Sequence, residues 1–390
     1  MHFHILGVGP VGSLFAHHLR RTLPAAHTVS LIHRTRQDRQ RLLDSSFVLE
    51  RGGEVQTTDD FQHEVFEELV SNPPSSSPPI DSVFVALKAQ HTYPALSLLA
   101  PRLPPHSTVV LLQNGMGIYE NLISTIFRNP KQRPHFILAS NTHGAFLTEP
   151  FHAVHAGVGS IEFAVAPDSQ GRDFEAGLDD ESTELSQRRL RLSDITFPED
   201  PLSARYRSLR TTVAALLVLE GLNTSWRSYS DIQMIMRRKL VVNAVINPLT
   251  ALMGCRNGQL FDHPEAKDLL QQVCDEAHSA YAAQMKHDTE AWLEDLESSG
   301  VDMTRVEVPT FPETLTSEAL QKETVRIAEI TKGNISSTLR DVRRGRKTEI
   351  DFINGYLVGL GRTYGLDMPV NSALLNLVKL RHRMPLDPIL

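Results

Sequence analysis

Hydrophobic residues along this chain follow two rhythms, and the change from one to the other divides it. In the first part, short apolar runs at residues 3–6, 28–32, 83–87, 109–112 and 136–139 stand apart from helical spacings such as Leu14, Phe15 and Leu19. Short apolar runs bounded by turn residues read as buried strands, and strands alternating with helices read as a parallel sheet. Residues 48–51 and 55–57 flank Gly52 and Gly53 and read as a hairpin. From residue 206 on, the period is helical throughout: 206–222, the run containing Lys239, 264–285, 318–331, 337–343, 350–364 and 371–382. The pattern predicts an α/β domain over 1–228 and an all-α domain over 229–390. Three stretches lack periodicity. These are the proline and serine loop at 71–79, the polar run 167–200 with Asp179, Asp180 and Glu181, and the stretch 288–312, which is broken by prolines. All three read as excursions from the packed elements.

Composition narrows the possibilities without choosing among them. At 390 residues the chain is long for one core, in keeping with two domains. A hydrophobic share of 41% and a charged share of 22% are ordinary for a globular protein. The net charge of -7 gives no support for a nucleic-acid or anionic-membrane partner, and no apolar run approaches a membrane span. Cys255 and Cys274 alone make neither a metal-ligand set nor a disulfide framework, so no metal is expected and a reducing, cytoplasmic compartment fits. Structure is expected from Phe3, which leaves no room for a targeting segment.

The chemistry begins with the first strand. Residues 7–12 read GVGPVG, directly after an apolar run and directly before a helical pattern. That order is the context of a dinucleotide fingerprint, in which bare glycines let a pyrophosphate approach a helix N-terminus. Gly7, Val8, Gly9, Pro10, Val11 and Gly12 are therefore candidate cofactor contacts, and the first domain is expected to be a Rossmann-type, doubly wound dinucleotide-binding domain. A glycine turn without a ligand is the plainer reading. The end of the second strand sets the cofactor. An enzyme that uses NAD places Asp or Glu there for the ribose hydroxyls, whereas this chain has His33 and Arg34, followed by Arg36 and Arg39. A cation at that point suits a 2′-phosphate, which favours NADP(H), with Arg34 the candidate contact and Arg36 and Arg39 solvated charges. Lys88 and Asn114 follow the strands at 83–87 and 109–112, at the edge where open α/β sheets hold ligands. Asn114 before Gly115 also fits a turn, and each polar residue also fits a helix cap. His143 is tempting as a catalytic acid, but it is expected to be a structural or supporting group, because Lys239 is better placed by the pattern.

The stretch 238–258, RKLVVNAVINPLTALMGCRNG, carries the second constellation. Lys239, Asn243 and Asn247 fall at i, i+4 and i+8, so an ammonium and two carboxamides share one stripe of an otherwise apolar helix. A buried amine flanked by amides calls for a ligand, while a lysine that snorkels to water beside amides capping neighbouring backbone is the bland alternative. Farther on, Asn334 and Ser337 are expected on one helical face, and Ser336 or Ser337 could meet a carboxylate. Glu349 opens a run in which Ile350, Ile353 and Leu357 point inward; it is placed either to pair with Lys239 or merely to complement a helix dipole.

With these residues in view, the chain resembles the ketopantoate reductases of the 6-phosphogluconate dehydrogenase-like superfamily. The motifs that carry the resemblance are GVGPVG from Gly7, ALKAQ around Lys88, QNGMG around Asn114, RKLVVNAVINPLTAL from Arg238, CRNG at Cys255 and NISSTLRDVRRGRKTEIDFING from Asn334. They span nearly the whole chain in the family's order. The resemblance implies NADPH-dependent reduction of 2-dehydropantoate (ketopantoate) to (R)-pantoate, a step toward pantothenate and coenzyme A. It implies Lys239 as general acid and Glu349 as its acidic partner, with Asn243, Asn247, Asn257, Asn334 and Ser337 as substrate-binding residues. It also implies that Gly7, Gly9, Gly12, Arg34, Lys88, Asn114 and Glu349 touch the cofactor. The implied partner is a small 2-oxo acid, with the protein a monomer or homodimer. The excursions depart from the compact pattern, which leaves two other readings in view. One is a reductase of another branched 2-oxo acid or specialised metabolite; the other is a catalytically silent NADP-binding protein.

Overall fold

The computed structural model describes residues 1–43, 46–71 and 78–384, so most of the expected proline and serine loop at 71–79 lies outside the described residues. The chain forms two compact units, Met1–Asn114 with Ile118–Gln233, and Gly115–Gly117 with Met234–Leu390. The division falls at Gln233 rather than at 228, because the helix Tyr229–Met253 starts in the first unit and continues into the second.

The first unit holds β1 (His2–Leu6), β2 (Thr28–His33), β3 (Phe47–Arg51), β4 (Glu54–Thr58), β5 (Gln62–Val65), β6 (Ser82–Val85), β7 (Thr108–Leu111), β8 (His135–Asn141), β9 (Gly144–Glu149), β10 (His152–Gly157), β11 (Ile161–Val165) and β12 (Thr224–Trp226). Eight strands form one sheet in the order β12-β11-β8-β7-β6-β1-β2-β5. From β5 to β8 every pairing is parallel. Counted along the sheet, those six strands have the 3-2-1-4-5-6 order of a doubly wound Rossmann sheet, whose direction of winding reverses beside β1. The strands are almost wholly buried, as expected when helices cover both faces, and Phe3, Ile5, Phe84 and Val110 are completely enclosed. β11 is added antiparallel to β8, and β12 parallel to β11.

A second sheet, β4-β3-β10-β9, goes beyond the expected hairpin. β3 and β4 pair antiparallel across Gly52 and Gly53, and β10 joins β3 in parallel about a hundred residues later in the chain. The polar stretch 167–200 folds against this unit. Arg172 forms an ion pair with Asp200 and lies 4.0 Å over the Tyr206 ring, while Phe174 and Ile195 enter the core.

In the second unit every regular element among the described residues is helical. The residues at 288–298, expected in an excursion, instead continue the helix Pro264–Ser298, because strong helix formers such as Ala, Leu and Glu fill them and the prolines come only at 309 and 312. The expected single helix over 350–364 is two pieces, a short 3₁₀ turn at Ile350–Phe352 and the helix Asn354–Thr363, separated by Ile353 at φ -110°, ψ -94°. Asn334 does not share a helix with Ser337; the helix Ser337–Arg343 starts later, capped by the Ser336 side chain.

The helix Tyr229–Met253 contains Pro248 in its interior. A proline there cannot donate to the carbonyl of Ala244, four residues back, a loss worth about 3 kcal/mol or more if unmended. The buried Asn354 side chain mends it: Nδ2 donates to the Ala244 carbonyl at 2.9 Å.

Candidate functional site

The glycine turn follows β1 directly. Gly7 has φ +99°, in the left-handed region that favours glycine, and a Cβ there would lie 2.9 Å from Leu87 and 3.0 Å from the Ala86 backbone, beside the neighbouring strand β6. A Cβ on Gly12 would sit 2.0 Å from the Gly7 carbonyl oxygen, so helix and strand pack closer than any side chain permits. Gly9, between them, faces open space within 4 Å. The helix Pro10–Thr22 then begins with Pro10, whose missing N–H is one the first turn leaves unused, and it has neither a side-chain cap nor an acidic residue in that turn. Its free amides and dipole are left for an anion. Val8 and Val11 pack partly buried against the core. Tight at Gly7 and Gly12, open at Gly9 and positive at the helix start, this loop fits a dinucleotide pyrophosphate.

The other first-unit residues sit at the same C-terminal strand ends. Arg34 follows β2 and is exposed, whereas its neighbour His33 is buried and hydrogen-bonds His63 at 3.0 Å. Arg36 binds Glu68 at 2.8 Å, and Arg39 is exposed. Lys88 stands at the N-cap of the helix Ala89–Leu99, partly exposed, and Asn114 follows β7, also partly exposed. The glycines after Asn114 serve packing: a Cβ on Gly115 would come 2.5 Å from the Phe352 carbonyl, which accepts a bond from the Met116 amide at 3.1 Å. His143 is buried, with both ring nitrogens engaged. Its Nδ1 meets His155 at 2.9 Å and its Nε2 meets the Leu222 carbonyl at 2.9 Å. Although the unit is rich in histidine, no metal-ligand set of three or more groups forms among the described residues.

In the second unit, the helix Tyr229–Met253 presents the lysine stripe. From Leu240 to Thr250 every residue is buried except Asn243, while Lys239 keeps some surface of its own. Protein atoms crowd the Lys239 amine, and this loss of solvent pulls its pKa down to about 8, with the charge of nearby Glu349 opposing the shift. Glu349 is buried, at the start of the 3₁₀ turn. Asn247 is buried one turn beyond Asn243.

The remaining expected substrate residues divide. Ser337 and Asn334 are exposed, whereas Ser336 is buried, caps its helix through the Leu339 amide at 3.1 Å and receives the Thr250 hydroxyl at 2.7 Å. Ser336 thus ties its segment to the lysine helix, a role that the cap position immediately before a helical run was able to signal. Asn257 spends its amide on Thr331 at 2.9 Å, and its backbone N–H donates to the Asn334 carbonyl at 3.1 Å. Lys239 and Glu349 are therefore brought together, and Asn257 and Asn334 are joined to each other through backbone.

Similarity to known proteins bears on both units. Residues 3–168 match the family described as ketopantoate reductase PanE/ApbA, and residues 231–382 match its C-terminal counterpart. A probable 2-dehydropantoate 2-reductase of Schizosaccharomyces pombe is 27% identical over 97% of this chain and 95% of its own length. Among solved structures, a PanE/ApbA family ketopantoate reductase from Ralstonia eutropha superposes with a TM-score of 0.67 at 21% identity, covering 98% of this chain and 99% of that one. D-mandelate dehydrogenase, in a ternary structure with NADH and anilino(oxo)acetate, superposes with a TM-score of 0.68 at 18% identity over 98% of this chain and 99% of that one, a likeness of fold. The two family matches cover most of the chain in order, and the chain belongs to the ketopantoate reductase family.

Proposed function

We propose that this protein reduces the ketone of 2-dehydropantoate to (R)-pantoate with NADPH, and that Lys239 is the general acid. The observation that carries the reading is the crowded amine of Lys239 next to the buried carboxylate of Glu349. A lysine at its ordinary pKa of 10.5 is a reluctant proton donor, whereas one lowered to about 8 is still largely protonated near neutrality and gives its proton up more readily.

When bound, a nicotinamide dinucleotide supplies hydride to the ketone carbon. The chain supplies the rest. The first-turn amides of the helix Pro10–Thr22 hold the pyrophosphate, and Arg34 takes a 2′-phosphate in the absence of an acidic residue at the end of β2. Lys88 and Asn114 line the cofactor edge. Lys239 meets the charge that develops on the ketone oxygen with a hydrogen bond and then a proton, an electrostatic contribution of roughly 3 to 4 kcal/mol. Glu349 keeps the ammonium charged and oriented. Asn243 and Asn247 hold the substrate's hydroxyl, and the exposed Ser337 and Asn334 are available to its carboxylate, while Asn257 serves the framework that presents them.

The test is NADPH oxidation with 2-dehydropantoate beside a panel of other branched and aromatic 2-oxo acids. The highest kcat/KM is expected with 2-dehydropantoate. A preference for another acid would overturn the substrate, and no turnover with any would leave an NADP-binding protein.

A further inference from the structure

The second unit contains a cavity that the proposed reaction does not use. Its volume is about 290 Å³, and it opens where the helix Tyr229–Met253 meets the distal part of the helix Pro264–Ser298 and the chain from Pro309 to Leu315. Met234, Met285, Trp292 and Phe311 make it apolar, and Arg237 supplies a cation. Arg237 and Lys239 are about 200° apart around their helix, so the cavity lies on the side away from the lysine stripe.

Arg237 is under-satisfied. Its Nη2 makes one long bond to Gln284 at 3.4 Å, its Nε is buried with no hydrogen-bond partner, and no carboxylate pairs with it among the described residues. A guanidinium carries five N–H donors in a planar fork matched to a carboxylate. An anion in the cavity would give this fork the charge-assisted acceptor that the protein itself does not supply. Asp288, also on the cavity wall, disfavours a second acidic group on the ligand. Eight of the twelve lining residues come from 285–315, six of them in the 288–312 stretch that the reductase reading leaves unexplained.

We infer that this cavity is a binding site for a monocarboxylate with an apolar body, the carboxylate on Arg237 and the body among Met234, Met285, Trp292 and Phe311. Octanoate and 2-naphthoate, one flexible and one flat, serve as probes. The chain has two tryptophans, and Trp292 lines the cavity while Trp226 stacks on Phe163 in the first unit. Titrating either probe into the whole protein should change tryptophan fluorescence saturably, and Trp292→Phe should abolish the change. Octan-1-ol, which has the same body without the charge, should bind at least tenfold more weakly than octanoate. Arg237→Met should lose a similar factor and Arg237→Lys part of it, with melting curves checking that each variant folds. A saturable response to 2-naphthoate alone would fix the flat body, and one to octanoate alone the flexible body. Equal affinity for octanol and octanoate would overturn the Arg237 clamp, and no saturable response to either acid in the wild-type protein would overturn the site.

Discussion

The two units build their candidate chemistry from opposite materials. In the first, function rests on side chains that are missing: Gly7 and Gly12 leave no room for a methyl group, and Gly9 leaves room for a ligand. In the second, it rests on side chains that are present, an amine and two carboxamides on one apolar helix. A site of the first kind is broken by adding an atom, and one of the second kind by taking a few away. The lesson is that a packing glycine and its fold fail together, whereas a side-chain site, like a glycine that only leaves room for a ligand, can be emptied while the fold stands.

The sharpest test removes the amine. Lys239→Ala should lower kcat by about 10²- to 10³-fold while NADPH affinity stays within about twofold; near-normal turnover would take Lys239 out of the mechanism. In the wild-type protein, kcat for ketone reduction should fall as pH rises through about 8, because the donor then loses its proton.

Next come the added methyls. Gly12→Ala, with its Cβ 2.0 Å from the Gly7 oxygen, should cost about 1 to 3 kcal/mol by overpacking and lower the melting temperature of the first unit. Gly9→Ala, which faces open space, should leave that temperature unchanged and weaken dinucleotide binding. Equal melting shifts for the two variants would undo the contrast between a packing glycine and a binding glycine.

A smaller effect is expected at Arg34. Changing it to Asp should weaken NADPH binding about tenfold and NADH binding little, since one charge-assisted contact is at stake; equal losses for both cofactors would defeat the 2′-phosphate assignment.

The gentlest test is titration of the fold. Burial pulls the pKa values of His17, His135 and His155 in the first unit down to about 4. Above pH 6.5 these groups are neutral in the folded and unfolded states and change nothing. Between 6.5 and about 4 only the unfolded chain takes up their protons, so stability falls as pH is lowered, by at most about 1.4 kcal/mol per pH unit for a fully buried histidine and less for the others. Lys239 acts in another window: between about 8 and 10.5 the unfolded chain holds the proton that the folded one has lost, and stability rises with pH. Urea unfolding of Trp292→Phe, followed through Trp226, and of Trp226→Phe, followed through Trp292, should show the acid loss in the first unit only.

Much of this was legible in the sequence, for reasons that differ along the chain. The strand, glycine turn and helix at the start are local, and so is the lysine stripe; spacing alone reports both. The second sheet was not legible. β9 is only partly buried and shows no alternation, and β10 finds its parallel partner in β3, far back in the sequence, so no local pattern marks the pairing. The residues at 288–298 looked like a loop because they are polar, yet polarity is compatible with an exposed helix when the residues are good helix formers. Asn334 and Ser337 have helical spacing, but the cap at Ser336 starts the helix between them. The closeness of Glu349 to Lys239 is a fact of packing, which spacing allowed but did not require.

The repaired gap at Pro248 reaches beyond stability. During synthesis the lysine-bearing helix leaves the ribosome more than a hundred residues ahead of Asn354, and until that asparagine arrives the Ala244 oxygen has no donor from its own helix and stays hydrated or unmet. The segment that supplies the asparagine also carries Glu349, so the same late docking event completes the backbone of the helix and delivers the counter-charge for its amine. On the proposed mechanism, a nascent chain stopped short of this point would hold its proton donor without the counter-charge that favours the protonated form.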